Sequence, residues 1–245
     1  MNKAFAGCTT SLILALVLLG CGKWDSPSLP GATTPPGGGH LGSASTFGIM
    51  ATSAITNTGV ATMINGDVSL NPGTSNGLLP VQVNGTIHIN DAISAQARLD
   101  LLSAYNYYTN LPPGITIPAG ADLGALYPTS IPPGTYTSGS TMLVSTPVTL
   151  NGGGNANAVW VFQIGSSLTT AASIALTGSA QAKNVFWVCA QDGTIGTGTT
   201  FHGTIISGRD VSANTGAVVN GRILAGATTA GTIALDTNTV TVPAP

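Results

Sequence analysis

Four short phrases punctuate this chain: Ile64-Asn65-Gly66-Asp67-Val68, Val83-Asn84-Gly85-Thr86-Ile87, Phe201-His202-Gly203-Thr204-Ile205 and Val219-Asn220-Gly221-Arg222-Ile223. Each has an apolar residue, Asn or His, Gly, one polar or charged residue, then a β-branched residue. Gly66 and Gly85 are 19 residues apart, and Gly203 and Gly221 are 18 apart. A period near 20 residues built of short strands reads as a β-solenoid in which each turn of the chain is one coil. Coils stack like positions into ladders about 4.7–4.9 Å apart. Whatever the ladders display is a regular array, and in the Thr- and Gly-rich C-terminal half much of that display is threonine.

Composition removes several functions. Charged residues make up 6% of the 245, Glu is absent and the net charge is −2. Six Lys and Arg cannot supply the basic face that nucleic acid requires. A hydrolase working by paired carboxylates needs acids close together, and the eight Asp (25, 67, 91, 100, 122, 192, 210 and 236) are scattered along the sequence. A hydrophobic content of 43%, rich in Val, Ile and Leu, argues for a packed core over disorder. The length suits one domain plus a leader.

Residues 1–20 read as a leader. Lys3 gives a weak positive start, and Ser11 to Gly20 is an apolar stretch shorter than the roughly 20 apolar residues of a membrane span. It ends in Leu18-Leu19-Gly20-Cys21, which resembles the lipobox of bacterial lipoproteins. That resemblance implies lipidation of Cys21 and a membrane anchor of several acyl chains; the alternative is a plain secretory signal. Either way the chain is expected outside the cytoplasm, as a cell-surface or outer-membrane lipoprotein or as a secreted protein. Cys8 falls in the leader and Cys189 is left alone, so no disulfide is expected. Cys189 ends the strand-like run Asn184-Val185-Phe186-Trp187-Val188-Cys189 and reads as a buried hydrophobe rather than a nucleophile. Residues 21–40 are rich in Pro, Gly and Ser and read as a tether, with the folded domain at 41–245.

One segment breaks the β pattern. Between about 92 and 110, Ile93, Ala97, Leu101, Ala104, Tyr105 and Tyr108 recur at helical spacing. Asn90 or Asp91 caps the start, and Pro112-Pro113 blocks continuation. About 18 residues at 1.5 Å each span about 27 Å, the height of five to six coils at about 4.8 Å. The fold expected is therefore mainly β: an irregular right-angled-stack β-solenoid (β-helix) with one long α-helix packed along one face. Leu111 to Pro133 is rich in Pro and Gly and reads as a surface wrap. Strands are expected at 142–144, 148–150, 159–164, 185–189, 203–207, 221–225 and 239–242. Trp160, Phe162, Phe186 and Trp187, set in apolar runs, are expected in the core or facing the helix.

From about Leu41 to Pro243 the chain resembles the microbial ice-binding (antifreeze) protein family. The phrases that carry the likeness are Phe47-Gly48-Ile49-Met50-Ala51, Ile55-Thr56-Asn57-Thr58-Gly59, Ile64 to Gly73, Ala158 to Gly165, Gly196 to Ile206, Asn214 to Arg222 and Leu235 to Thr241. The resemblance implies an irregular β-solenoid with a flanking helix, and ice as the ligand. The physics of such a ligand is geometric. Ice and liquid water are chemically identical, so a rigid face must hold water at positions the crystal accepts. Parallel strands repeat in one direction and alternate residues in the other. Threonine suits this display: its hydroxyl anchors water, its methyl orders the neighbouring shell, and β-branching restricts χ1. Strongly hydrated charges would disturb the layer.

Aligning coils by the apolar residue that closes each strand selects candidate ice-binding residues. Thr170 and Ser173 precede Ile174; Thr197, Thr199 and Thr200 precede Phe201; Thr215 and Ala217 precede Val218; Thr237 and Thr239 precede Val240; Thr58 and Thr62 add an N-terminal coil. These phrases resemble the family's Thr-Ala/Gly-x-Thr/Asn motif. Thr197-Gly198-Thr199-Thr200 fits it fully, the 170 phrase ends in Ser, and the 214 and 236 phrases are shifted. The side of the strand each Thr occupies is left open by sequence.

Other constellations are weak. His40, His88 and His202 lack partners at metal-ligand spacing. Arg209-Asp210 reads as a surface ion pair at a coil corner rather than a catalytic pair, and Asn151-Gly152-Gly153-Gly154-Asn155 has no Lys to hold a phosphate. No enzyme activity, cofactor or nucleic-acid partner is expected. The expected partners are the ice surface with its ordered water and a membrane through Cys21, with the protein a monomer. An adhesin binding carbohydrate or protein is the alternative, and a polysaccharide lyase would need an Asp/Arg/Lys cluster or a Ca²⁺ site that the sequence does not show.

Overall fold

A computed structural model describes residues 39–244. The expected leader, the Cys21 lipidation site and the tether up to residue 38 lie outside the described residues. Gly39 and His40, assigned to the tether, instead begin a 3-10 segment running to Thr46, and the His40 ring stacks on Tyr107 with centroids 3.4 Å apart.

Each full coil contributes one strand to each of three parallel ladders, so the solenoid is three-sided. The first ladder carries the helix. Its strands run in the order 115–116, 134–138, 160–164, 185–189, 204–207, 222–224, 47–51, 67–70 and 87–89. The second, here the open sheet, has eight strands in the order 121–122, 142–144, 168–170, 193–195, 211–213, 232–235, 54–57 and 75–76. The third side holds 148–151 and 174–177, then 200–203, 218–220, 239–241, 63–65 and 83–84.

Stacking order is not chain order. The strand 222–224 pairs with 49–50, Thr232–Leu235 with Ala54–Asn57, and Thr239–Thr241 with Met63–Asn65. Among the described residues the last coil therefore rests on the first, and the two meet inside the stack. The coil holding 87–89 and the coil holding 115–116 form the two ends of the pile, and the long helix Ala92–Thr109 carries the chain back between them.

The recurrent Gly of the sequence phrases explains how one strand serves two sides. Thr200–Ser207 and Val218–Leu224 each pass from the third side to the helix side at Gly203 and Gly221, which are register partners. A Cβ on Gly221 would sit 1.7 Å from the Gly203 carbonyl oxygen, so no side chain is accommodated where the coils turn.

Alternation along each strand sorts side chains into two cores. Inward residues form the solenoid core, which includes an aromatic stack of Tyr136, Phe162 and Trp187 with centroids 5.2 Å and 3.9 Å apart. Trp160 Nε1 donates to the Ile131 carbonyl and Trp187 Nε1 to that of His202, both at 3.1 Å, so these indoles are buried with their polar edges satisfied. Outward residues of the helix-side ladder, among them Met50, Val161, Phe186, Val188, Ile206 and Leu224, meet Ala97, Leu101, Ala104 and Tyr108 of the helix in the second core. Tyr108 stacks on Phe186 with centroids 4.3 Å apart.

The helix starts where the sequence places it. Asp91 accepts from the Ser94 amide at 2.7 Å, and the Asp91 amide donates back to Ser94 Oγ at 2.9 Å. Cys189 is fully buried, and burial pushes its thiol up to about 12, which leaves no thiolate to attack anything. The largest difference from the expected layout is in the small-residue strands. Gly134–Ser138, Leu168–Thr170, Gly193–Ile195, Val211–Ala213 and Thr232–Leu235 carry too few large apolar residues to stand out in sequence.

Candidate functional site

The helix covers one side of the solenoid. Of the two sides the helix leaves uncovered, the open sheet has the longer unbroken ladder, and register fixes what it shows to solvent. Leu143, Thr169, Thr194, Ser212, Ala234 and Thr56 are consecutive partners across six strands. Their neighbours along each strand, such as Leu168, Ile195, Val211, Ile233 and Ile55, belong to the core. Beyond Leu143 the sheet thus presents a central column of small, mostly hydroxyl-bearing side chains on a spacing of about 4.8 Å.

Beside this column the coils turn from the open sheet to the third side, and the turns carry a second row of threonines. Thr197, Thr215, Thr237 and Thr58 are all exposed there. The turns bond to one another in sequence: Gly198 N donates to the Thr215 carbonyl at 2.9 Å, Gly216 N to that of Asp236 at 3.0 Å, and Thr58 N to that of Leu235 at 3.0 Å. Gly198 and Gly216 bend at φ 65° and 72°, and Thr237 takes the same left-handed bend at φ 57°. A shallow depression between row and column is lined by Thr56, Thr58, Thr197, Ser212, Thr215 and Asp236.

The eleven residues selected from sequence divide sharply. Thr58, Ser173, Thr197, Thr215 and Thr237 are exposed, and Thr200 and Thr239 are half-buried at the start of the third side. Four are corrected. Thr62, Thr170, Thr199 and Ala217 are only 1%, 2%, 5% and 0% exposed and cannot touch a crystal. The reason is common to three of them: Thr62, Thr199 and Ala217 each sit one residue before a third-side strand, at the inward position that Asn238 occupies in its own coil. Thr199 Oγ1 donates to the Gly196 carbonyl at 2.7 Å, and Thr62 Oγ1 to Asn57 Oδ1 at 2.7 Å. Thr170 accepts from the Gly196 amide at 3.1 Å. In the 197 coil Thr199 ties the turn together from inside, while Thr197 faces out.

Sequence reasoning missed the central column. Thr169, Thr194, Ser212 and Thr56 lie inside strands of three or four residues, too short for alternation to be read with assurance. Their signal is a small polar residue directly after a core residue and just before a turn, as in Ile55-Thr56-Asn57 and Val211-Ser212-Ala213.

Residues 49–241 match the model of a family described as ice-binding-like. The chain belongs to this family. An ice-binding protein of Nostoc sp. (strain HG1) is 40% identical over 169 residues, which are 68% of this chain and 61% of the relative. One of Flavobacterium frigoris (strain PS1) is 34% identical over 220 residues, covering 83% of this chain and 76% of the relative. Among solved structures, an ice-binding protein from an Antarctic biological consortium superposes with a TM-score of 0.76 at 39% identity, covering 83% of this chain and 90% of that one. Another, from the Antarctic ascomycete Antarctomyces psychrotrophicus, gives a TM-score of 0.75 at 36% identity, covering 84% and 98%.

In this ice-binding-like chain the remaining polar groups are arranged to hold the fold. Arg209 pairs chiefly with Asp192 of the preceding coil, through Nε to Oδ1 at 2.7 Å and a second guanidinium contact, and lies 4.0 Å from Asp210. This ion pair closes the corner opposite the threonine row. Among the described residues no three His, Cys or Asp groups cluster as a metal site. The third side is a less regular display: His202, Asn220, Thr241, Asn65 and Asn84 follow one another in register, beside Val218 and Met63.

Proposed function

We propose that this chain binds ice through the open sheet and the threonine corner beside it, and so curbs ice growth and recrystallisation. The observation that carries the reading is the register: Thr169, Thr194, Ser212, Ala234 and Thr56 form one column, flanked by the exposed row Thr197, Thr215, Thr237 and Thr58. Two perpendicular repeats, about 4.8 Å between strands and about 6.6 Å between alternate residues, are what a rigid face needs to hold ordered water in two dimensions. Membership of the ice-binding-like family supports the same reading. It involves no chemistry on a substrate and no cofactor.

The test uses purified protein, with thermal hysteresis and crystal shape recorded. Thr194→Tyr and Thr215→Tyr should each abolish most of the freezing gap while circular dichroism stays unchanged. Thr241→Tyr, on the third side, should leave it intact. Full activity in the first two variants would remove this face as the site; wild-type crystals that stay round and grow as in buffer would remove ice as the ligand and favour an adhesin.

The reading extends to export as a monomer, with Cys21 lipidated and residues 22–38 spacing the domain from the membrane. Mass spectrometry of the membrane fraction tests this: a first residue of acylated Cys21 supports the anchor, and a soluble, unmodified N-terminus supports simple secretion.

A further inference from the structure

A carboxylate stands in the middle of the threonine row. Asp236 lies between Thr215 of the preceding coil and Thr58 of the following one, on a surface where a freely hydrated charge would spoil an ordered water layer. Its surroundings resolve the conflict. The Thr215 hydroxyl donates to Oδ2, and the Thr237 hydroxyl to Oδ1 at 3.1 Å. The Thr58 hydroxyl of the following coil donates instead to the Leu235 carbonyl at 3.4 Å. The backbone beneath is fixed as well: Asp236 N donates to Asn238 Oδ1 at 2.7 Å, and the Asn238 side-chain amide donates to the Asn214 carbonyl at 2.8 Å.

We propose that Asp236 is the positioning residue of the ice-binding corner: its carboxylate takes the hydroxyl protons of Thr215 and Thr237 and leaves their lone pairs for water. This rests on the ice-binding reading and gives the corner a polarity. A hydroxyl carries one proton and two acceptor sites. Left free, each rotor points its proton at random and pays rotor entropy on docking. Held by a charged acceptor, both present acceptors only, so every water bound to them must donate. The carboxylate in turn has about two of its roughly four acceptor sites filled by protein hydroxyls and holds less hydration of its own. The proton pattern of the first water layer is then written by one side chain.

The experiment follows recrystallisation inhibition by wild type, Asp236→Asn and Thr215→Val over a falling pH series, with circular dichroism at each pH. Asp236→Asn replaces one acceptor oxygen with a donor and should raise the half-maximal concentration about fivefold, the factor attached to one oriented hydrogen bond. The Thr215 hydroxyl, then that of Thr237, holds the Asp236 carboxyl below the usual carboxylate range, so wild-type activity should fall only below about that range. Asp236→Asn should show no such fall. The facing turns 214–217 and 58–62 carry no titratable side chain, and Arg209, Asp192 and Asp210 lie at the opposite corner. Equal activity of Asp236→Asn and wild type at every pH, or a weaker variant with the wild-type pH profile, overturns the proposal and leaves the ice-binding reading intact. A wild type without activity at any pH sinks the reading itself. If Asp236→Asn does not fold, a wild-type profile that stays flat while the protein remains folded overturns the proposal.

Discussion

The motif Thr-Gly-x-Thr looks symmetrical in sequence and is not so in space. In Thr197-Gly198-Thr199, Gly198 turns the chain with a positive φ, so the flanking threonines land on opposite sides of the coil wall. The buried Thr199 should matter to stability and the exposed Thr215 to activity. Thr199→Val removes a hydroxyl that bonds Gly196, and it should cost about 1–2 kcal/mol while the folded protein keeps its effect on ice. Thr215→Val should do the reverse. Chemical denaturation paired with recrystallisation assays on both variants separates the two roles. No propensity marks which threonine is which. The turns from the open sheet differ in length, from Asp236-Thr237 to Thr58-Gly59-Val60-Ala61, and one residue more or less exchanges inside for outside.

At the scale of elements, the long helix was the most legible part of the chain. Its apolar stripe, the Asp91 cap and the Pro112-Pro113 stop are local signals, and the helix runs Ala92–Thr109 with Ala97, Leu101, Ala104 and Tyr108 buried. Ile93 and Tyr105, on the edge of the same stripe, are exposed and half-buried, because the stripe is wider than the groove it fills. Strands with bulky runs, such as Trp160–Ile164 and Val185–Cys189, were equally legible. Those of the open sheet were not, since a solenoid wall with one face to solvent needs only two inward residues per strand. Two predictions belong here. Leu101→Ala opens a cavity in the second core and should destabilise by about 2–5 kcal/mol, read by thermal or urea unfolding. The Ser94 amide, helped by the His88 ring, holds the Asp91 carboxyl down to about 2, below its ordinary value of 3.8. Its charged form therefore stabilises the fold at neutral pH, and that contribution is lost as pH falls from about 4 through about 2. The difference in melting temperature between wild type and Asp91→Ala should accordingly narrow over that window.

At the scale of the molecule, two stacks of coils share one core through the C-terminal strands. Thr232–Leu235 and Thr239–Thr241 each have the central coils on one side and the N-terminal coils on the other. A chain ending at Gly231 should lose cooperative unfolding and ice activity together, since the open sheet would be cut in two. A single sharp thermal transition in that truncated chain would mean that the central stack is an independent unit. Nothing in the sequence announced this joint. The partners are about 177 residues apart, and local pattern carries no information about which coil stacks on which.

The same joint governs how the protein reaches its native state. Thr52 Oγ1 accepts from the Gly231 amide at 2.8 Å across 179 residues, and the contacts around it are of similar reach. The first coil is made early and waits for the last, so no partial chain can satisfy the edge strand 54–57 on the side where 232–235 belongs. Loop closure of this size is entropically costly and slow. An emerging chain must keep that edge from pairing with a neighbour's until its final residues arrive, which makes the closing step the point in its life most exposed to misassembly.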